Sequence, residues 1–73
     1  MKDGIYSKEH NKLIERIIKA RKEAGLSQVE AAKRLNRSQS YISKIEVGQR
    51  KIDVIELKKI ARVYKVSVEY LLK

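Results

Sequence analysis

Only three residues, Asn36-Arg37-Ser38, separate two amphipathic stretches, Leu26–Leu35 and Gln39–Gly48. Each stretch reads as a helix of a few turns. Isolated helices shorter than about 12–15 residues are marginal in water. The two must therefore lean on each other and on the rest of the chain. So short a connection forces them to cross steeply, as a helix-turn-helix. The residues at the crossing suit it. Ala32 is small enough to let the second helix approach. Asn36 sits at the corner, and Asn tolerates a left-handed backbone. Ala31 and Leu35 turn one side of the first helix inward, and Ile42 and Ile45 do the same for the second.

The remaining chain has the pattern of further helices. There is no proline and no strand-type alternation, and the glycines number three. Gly25 and Gly48 fall just past helical stretches, where a left-handed residue is wanted. Gly4 lies in the N-terminal segment, and residues 1–6 read as a flexible tail. A first helix is predicted after Ser7 and before Gly25. Leu13, Ile17, Ala20 and Ala24 form its apolar stripe, widened by Ile14 and Ile18. Ser27-Gln28-Val29-Glu30 is a capping box for the second helix, and Ser38 is a cap for the third. Asp53-Val54-Ile55-Glu56 is a capping box for a fourth helix. Its buried face is predicted to be Val54, Leu57, Ile60, Ala61 and Tyr64. A fifth follows Ser67 and carries Val68, Leu71 and Leu72. Tyr6 and Tyr64 are predicted to pack, while Tyr41 can pack or meet a phosphate. The expected fold is all-α, one compact five-helix domain over residues 1–73.

Composition removes several function classes. A chain of 73 residues hides only about 60% of its unfolded surface, too little to enclose a deep pocket. It has no cysteine for a disulfide or thiolate site. The lone His10 cannot build a zinc site. No Ser/His/Asp set, phosphate-cradling glycine loop or carboxylate cluster occurs, so no enzyme, cofactor or small-molecule ligand is expected. No apolar run approaches the 18 or so residues of a membrane span. No signal stretch follows Met1-Lys2-Asp3-Gly4, so the expected compartment is the cytoplasm.

Charge points the other way, toward a polyanion. Eighteen Lys and Arg stand against nine Asp and Glu, a net charge of +9. Six of the basic residues (Lys33, Arg34, Arg37, Lys44, Arg50, Lys51) fall between positions 33 and 51, with Glu46 the one acid. Such concentration suggests nucleic acid. The outward face of the third helix is Gln39, Ser40, Ser43 and Lys44. A helix bearing such residues can lie in a major groove about 12 Å wide, where Gln can pair with adenine and Lys with guanine.

The span Leu26–Gly48 resembles the helix-turn-helix of the Xre/Cro-type family, to which small phage repressors belong. The matching pieces are Leu26-Ser27-Gln28, Ala31-Ala32, Ser38-Gln39, and Tyr41-Ile42-Ser43-Lys44-Ile45-Glu46 followed by Gly48. The likeness continues through Ile60-Ala61 and Val66-Ser67-Val68-Glu69-Tyr70-Leu71-Leu72. It implies a lambda-repressor-like domain that binds a double-stranded DNA operator as a homodimer. Carried over by position, Gln39, Ser40, Ser43 and Lys44 are base-reading, and Gln28, Arg50 and Lys51 are phosphate-contacting. Arg37 and Ser38, at the turn, are expected to meet phosphate as well. Arg21 and Glu46 match an ion pair between the first helix and the end of the third. Two positions depart from the family pattern. Arg37 stands where an apolar residue is usual; its stem can cover the core while its charge reaches outward. Lys65 stands where glycine is usual, at a cost of about 1 kcal/mol.

The expected function is a sequence-specific transcriptional regulator, a dimeric repressor or autoregulator reading the major groove with residues 39–47. Two-fold binding implies half-sites about 34 Å apart. The dimer contacts fall on Val63, Val68, Tyr70 and Leu72, or else on Ile14 and Ile18. No effector domain is expected, so regulation would rest on concentration and dimerisation. The alternative is a protein-interaction module, such as an antitoxin or a restriction-modification controller component. A docking helix would show a larger apolar face than this third helix does. A basic membrane binder is disfavoured by the short capped helices.

Overall fold

Each helix in the computed structural model, which describes residues 7–73, starts on a side chain that closes its first turn. Helix α1 spans Lys8–Glu23, α2 Gln28–Leu35, α3 Gln39–Glu46, α4 Val54–Tyr64 and α5 Val68–Leu72. The hydroxyls of Ser7, Ser27, Ser38 and Ser67 accept from the backbone N–H three residues on, and Asp53 does so with its carboxylate. At α2 and α4 the bond is returned. Glu30 accepts from the Ser27 N–H at 2.8 Å, and Glu56 from the Asp53 N–H at 3.0 Å. These are the two capping boxes legible in the sequence. Those expectations that fell on residues 1–6, the flexible tail with Gly4 and the packing of Tyr6, lie outside the described residues.

Four helices end in one device. Asn36 N–H donates to the Lys33 carbonyl at 3.1 Å, and Arg37 N–H to the Ala32 carbonyl at 2.9 Å. This pair of bonds is a Schellman motif, which needs a left-handed residue just past the helix. Asn36 takes that conformation at φ 59°, ψ 43°. The same bonds recur around Gly25, Gly48 and Lys65, all with positive φ. Lys65, at φ 62°, carries a side chain where the left-handed turn favours glycine.

The helices close around one core. Ile17, Ile42, Ile45, Ile60 and Leu71 are its largest fully buried side chains. Helix α1 packs on α3, α4 and α5, while α4 packs on α2 and α5. The closest pairing is α2 with α3. Ala31 and Ala32 are buried there, and Leu35 packs against the core from its edge. Among the described residues there is no strand, and no helix is long and apolar enough to cross a membrane. The domain is all-α, five helices built on a helix-turn-helix.

One apolar face differs from expectation. Val54 is 70% exposed and does not belong to the buried face of α4. Helical spacing carries the stripe back from Leu57 to Val54, but the chain enters this helix from the core side. Ile52, just before the Asp53 cap, packs against the core instead. Ile52 and Leu57 hold the staple positions on either side of the capping box. Leu26 with Ala31, and Val66 with Leu71, stand at the same offsets around Ser27 and Ser67. Along α1 the expected stripe holds: Ile17 and Ala20 lie in the core, Leu13 and the C-cap Ala24 pack against it half-buried, and Ile14 is buried beside them.

Lys65→Gly should stabilise the domain by about 1 kcal/mol by relieving the left-handed side chain. Chemical denaturation would show this as a higher midpoint with unchanged slope. A lower midpoint would mean that the Lys65 side chain contributes more than its backbone costs.

Candidate nucleic-acid interface

Packing of α2 on α3 leaves one side of α3 uncovered. Successive helical residues turn by about 100°, so positions 41, 42 and 45 share one side of α3. Tyr41, Ile42 and Ile45 are buried. Gln39, Ser40 and Lys44 are exposed, and Ser43 is half-buried. Val47 follows them at the end of the helix and is also exposed. Ser38 uses its oxygen as the cap, accepting from Tyr41 N–H at 3.2 Å.

A chain of polar bonds runs from the interior to this surface. Arg21 and Glu46 are ion-paired, with Nε–Oε2 at 2.6 Å and Nη2–Oε1 at 3.0 Å. Their side chains are 10% and 6% exposed. Arg21 Nη1 also donates to the Leu26 carbonyl at 2.9 Å. Its hydrogen bond to Glu46 raises the guanidinium pKa above its ordinary value, against the opposing effect of burial. Tyr64 lies beside the pair. Burial first, then the Glu46 charge, push its hydroxyl up to about 12. Gln28 Nε2 donates to Glu46 Oε1 at 2.9 Å, and Gln39 Nε2 donates to Gln28 Oε1 at 2.6 Å. By family resemblance Gln28 is expected at phosphate and Gln39 at bases. The structure joins them to each other and to the ion pair. Residues 28 and 46 lie far apart in sequence, so no local pattern marks that bond.

A second cluster surrounds Tyr41. The Arg37 guanidinium lies 4.0 Å from the ring centroid and Arg50 lies 4.9 Å from it. Glu56 balances both, with Arg50 Nη2 at 2.7 Å and Arg37 Nη1 at 3.8 Å. Burial raises the Glu56 carboxyl, but hydrogen bonds from Arg50 and the Asp53 backbone outweigh it and hold the pKa below the ordinary value. Burial also raises the Tyr41 phenol, and the Glu56 charge adds to that. The Arg37 charge sits over an aromatic face beside a carboxylate, and its side chain stays 43% exposed. Glu56 was legible only as a cap; its second role depends on where the loop returns Arg50. Lys44 and Lys51 are exposed and make no ion pair among the described residues. Those residues also hold no group of three or more His, Cys, Asp or Glu fit for a metal ion.

Two short crossed helices, the second presenting a polar and cationic side, define a helix-turn-helix DNA-binding domain. A family model described as Helix-turn-helix matches residues 17–71, from the middle of α1 through α5. The chain belongs to that family, the Xre/Cro-type helix-turn-helix proteins, and is a DNA-binding regulator. A comparison with curated proteins finds no match.

Removing one partner of a buried ion pair strands the other charge, at a cost of about 3–5 kcal/mol. Glu46→Ala should therefore lower unfolding free energy by that order in a urea titration. A loss under about 1 kcal/mol would show that Arg21 reaches solvent when freed.

Proposed function

We propose that this protein is a sequence-specific transcriptional regulator that binds operator DNA as a dimer and acts as a repressor or autoregulator. The observation that carries this reading is the uncovered face of α3. Gln39, Ser40 and Lys44 are exposed there, with Gln39 tethered to Gln28, on a corner held by the buried Arg21–Glu46 pair. In this reading α3 enters the major groove, and Gln39, Ser40, Ser43 and Lys44 meet base edges. Phosphate contacts come from Gln28, Arg37, Ser38, Arg50 and Lys51, and these set register without carrying sequence information. Arg37 and Arg50 can still do this while bound to Glu56, because a guanidinium has five N–H donors. Stacking on Tyr41 and bonding to Glu56 hold both arginines in place before DNA arrives, which lowers the entropy cost of binding.

One recognition helix reads few base pairs, so two copies on adjacent half-sites supply the needed discrimination. Leu72, 59% exposed at the end of α5, is the most open of the apolar residues that suggested a dimer contact. Val63, Val68 and Tyr70 are partly taken up by the core. Ile14 is buried, which leaves the alternative face with Ile18 alone. This reading puts the protein in the cytoplasm, where a regulator meets its operator.

Selection of bound duplexes from a random pool should yield a two-fold symmetric site. Against that site, Lys44→Ala should lose affinity by 1–3 kcal/mol and relax preference at one position. Equal loss on all sequences would remove Lys44 from base reading. Lys51→Ala should weaken all sequences alike and reduce the slope of log K against log salt by about 1. A loss confined to the selected site would contradict its phosphate role.

A further inference from the structure

We infer that Val47 is a further specificity residue of α3, one that reads the C5-methyl group of a thymine. The inference rests on the reading that α3 lies in a major groove, and it adds a contact that no polar side chain makes. Its first support is position. Tyr41, Ile42 and Ile45 are buried and occupy one arc of the α3 surface. At about 100° per residue, Val47 lies about 170° from the middle of that arc, at the crest of the outward side. Ser40 and Ser43 flank it, each about 150° from the same point. Gln39 and Lys44 stand at the two margins, each about 110° away. The long polar side chains are thus at the edges, and the three shortest share the crest. A helix laid crest-first in a groove brings those three nearest the bases.

Its second support is exposure and chemistry. Val47 is 59% exposed and has no part in the packed core. A single exposed apolar residue means little by itself; Val29, Val54 and Ile55 are comparably open on α2 and α4. Val47 differs in standing among four polar residues on the outward side of α3. Its direction is also fixed. Val47 N–H donates to the Ser43 carbonyl at 3.0 Å, so the helical turn carries through to it. Behind it, Gly48 N–H donates to the Ile45 carbonyl at 3.1 Å, and Gln49 N–H to the Lys44 carbonyl at 2.9 Å. A β-branched side chain has little rotamer freedom to lose. Such a knob carries two methyl groups and no hydrogen-bonding atom. Against the major-groove edges of guanine, cytosine or adenine it would strip water from donors and acceptors and return nothing. Thymine presents an apolar group there, its C5-methyl. Val47 is one turn beyond Lys44, about 4.5 Å along the axis, and so meets a base pair beside the one that Lys44 reads.

Uracil in place of thymine tests this, because it keeps every hydrogen-bonding edge and lacks only the methyl group. The duplex selected from a random pool is remade with each thymine replaced in turn, and each version is titrated with the intact protein. Lys44→Ala marks the base pair that residue 44 reads. Beside it, one uracil should weaken wild-type binding about fourfold, the worth of one buried methyl-sized group. Val47→Ala removes both terminal methyls from an exposed position and should leave thermal melting unchanged. It should bind the thymine and uracil duplexes about equally. Cytosine at that position should bind weakly. 5-Methylcytosine, which returns the methyl group, should recover part of the loss with the wild-type protein and none with Val47→Ala. A selected site with no thymine beside the Lys44 pair would overturn the inference and leave Lys44 as a reader. So would a uracil there that costs nothing, or that costs the same in both proteins. If Lys44→Ala and Val47→Ala both left the selected sequence unaltered, α3 would be no reading helix, and the inference would fall with that assignment.

Discussion

The buried contact between Arg21 and Glu46 organises the rest of the molecule. It joins α1 to the end of α3, and through Leu26 it also holds the chain just before α2. Three of the five helices are thus referred to one charged pair. Burying two charges is costly, and hydrophobic replacements of such pairs are often as stable. Stability alone therefore does not account for this pair. What it adds is direction. A bidentate Arg–carboxylate contact tolerates little rotation, so α3 is held at one angle to α1. In the proposed reading, an α3 that wandered by a few degrees would lose its register with base edges.

Around that pair, the short helices survive because each is closed at both ends. Side chains take up the free N–H groups at every start, and paired backbone bonds take up free carbonyls at four of the ends. Apolar residues just outside three of the caps (Leu26, Ile52, Val66) pack into the core. The loops thereby contribute to the interior instead of merely crossing the surface. This arrangement lets α2 and α3 run for 8 residues each and still keep a defined crossing.

The charge of the chain is arranged in two ways. Arg37 and Arg50 are held over Tyr41 with Glu56 between them. Lys44 and Lys51 stand in solvent. Anchored guanidiniums offer geometry, and free ammonium groups offer mobile charge. A surface with both can dock on a phosphate backbone in one orientation and still approach it quickly through the long-range field.

The amino-acid sequence determined, by itself, where the helices begin and end, and which side of α3 is polar. Those are local matters: a cap and its target lie three residues apart, and a helical stripe repeats within one turn. For this reason the boundaries, the capping boxes and the left-handed Asn36 were legible. Only the tertiary structure decided which polar groups meet. Gln28 and Glu46 are 18 residues apart, and Arg21 and Glu46 are 25 apart. Their distance in space depends on how α1, α2 and α3 stack. The family resemblance suggested the Arg21–Glu46 pairing, but not the amide chain leading from it to Gln39. The same reason explains Val54: periodicity sees one helix at a time, whereas burial depends on what the neighbouring loop brings in, and here it brought Ile52.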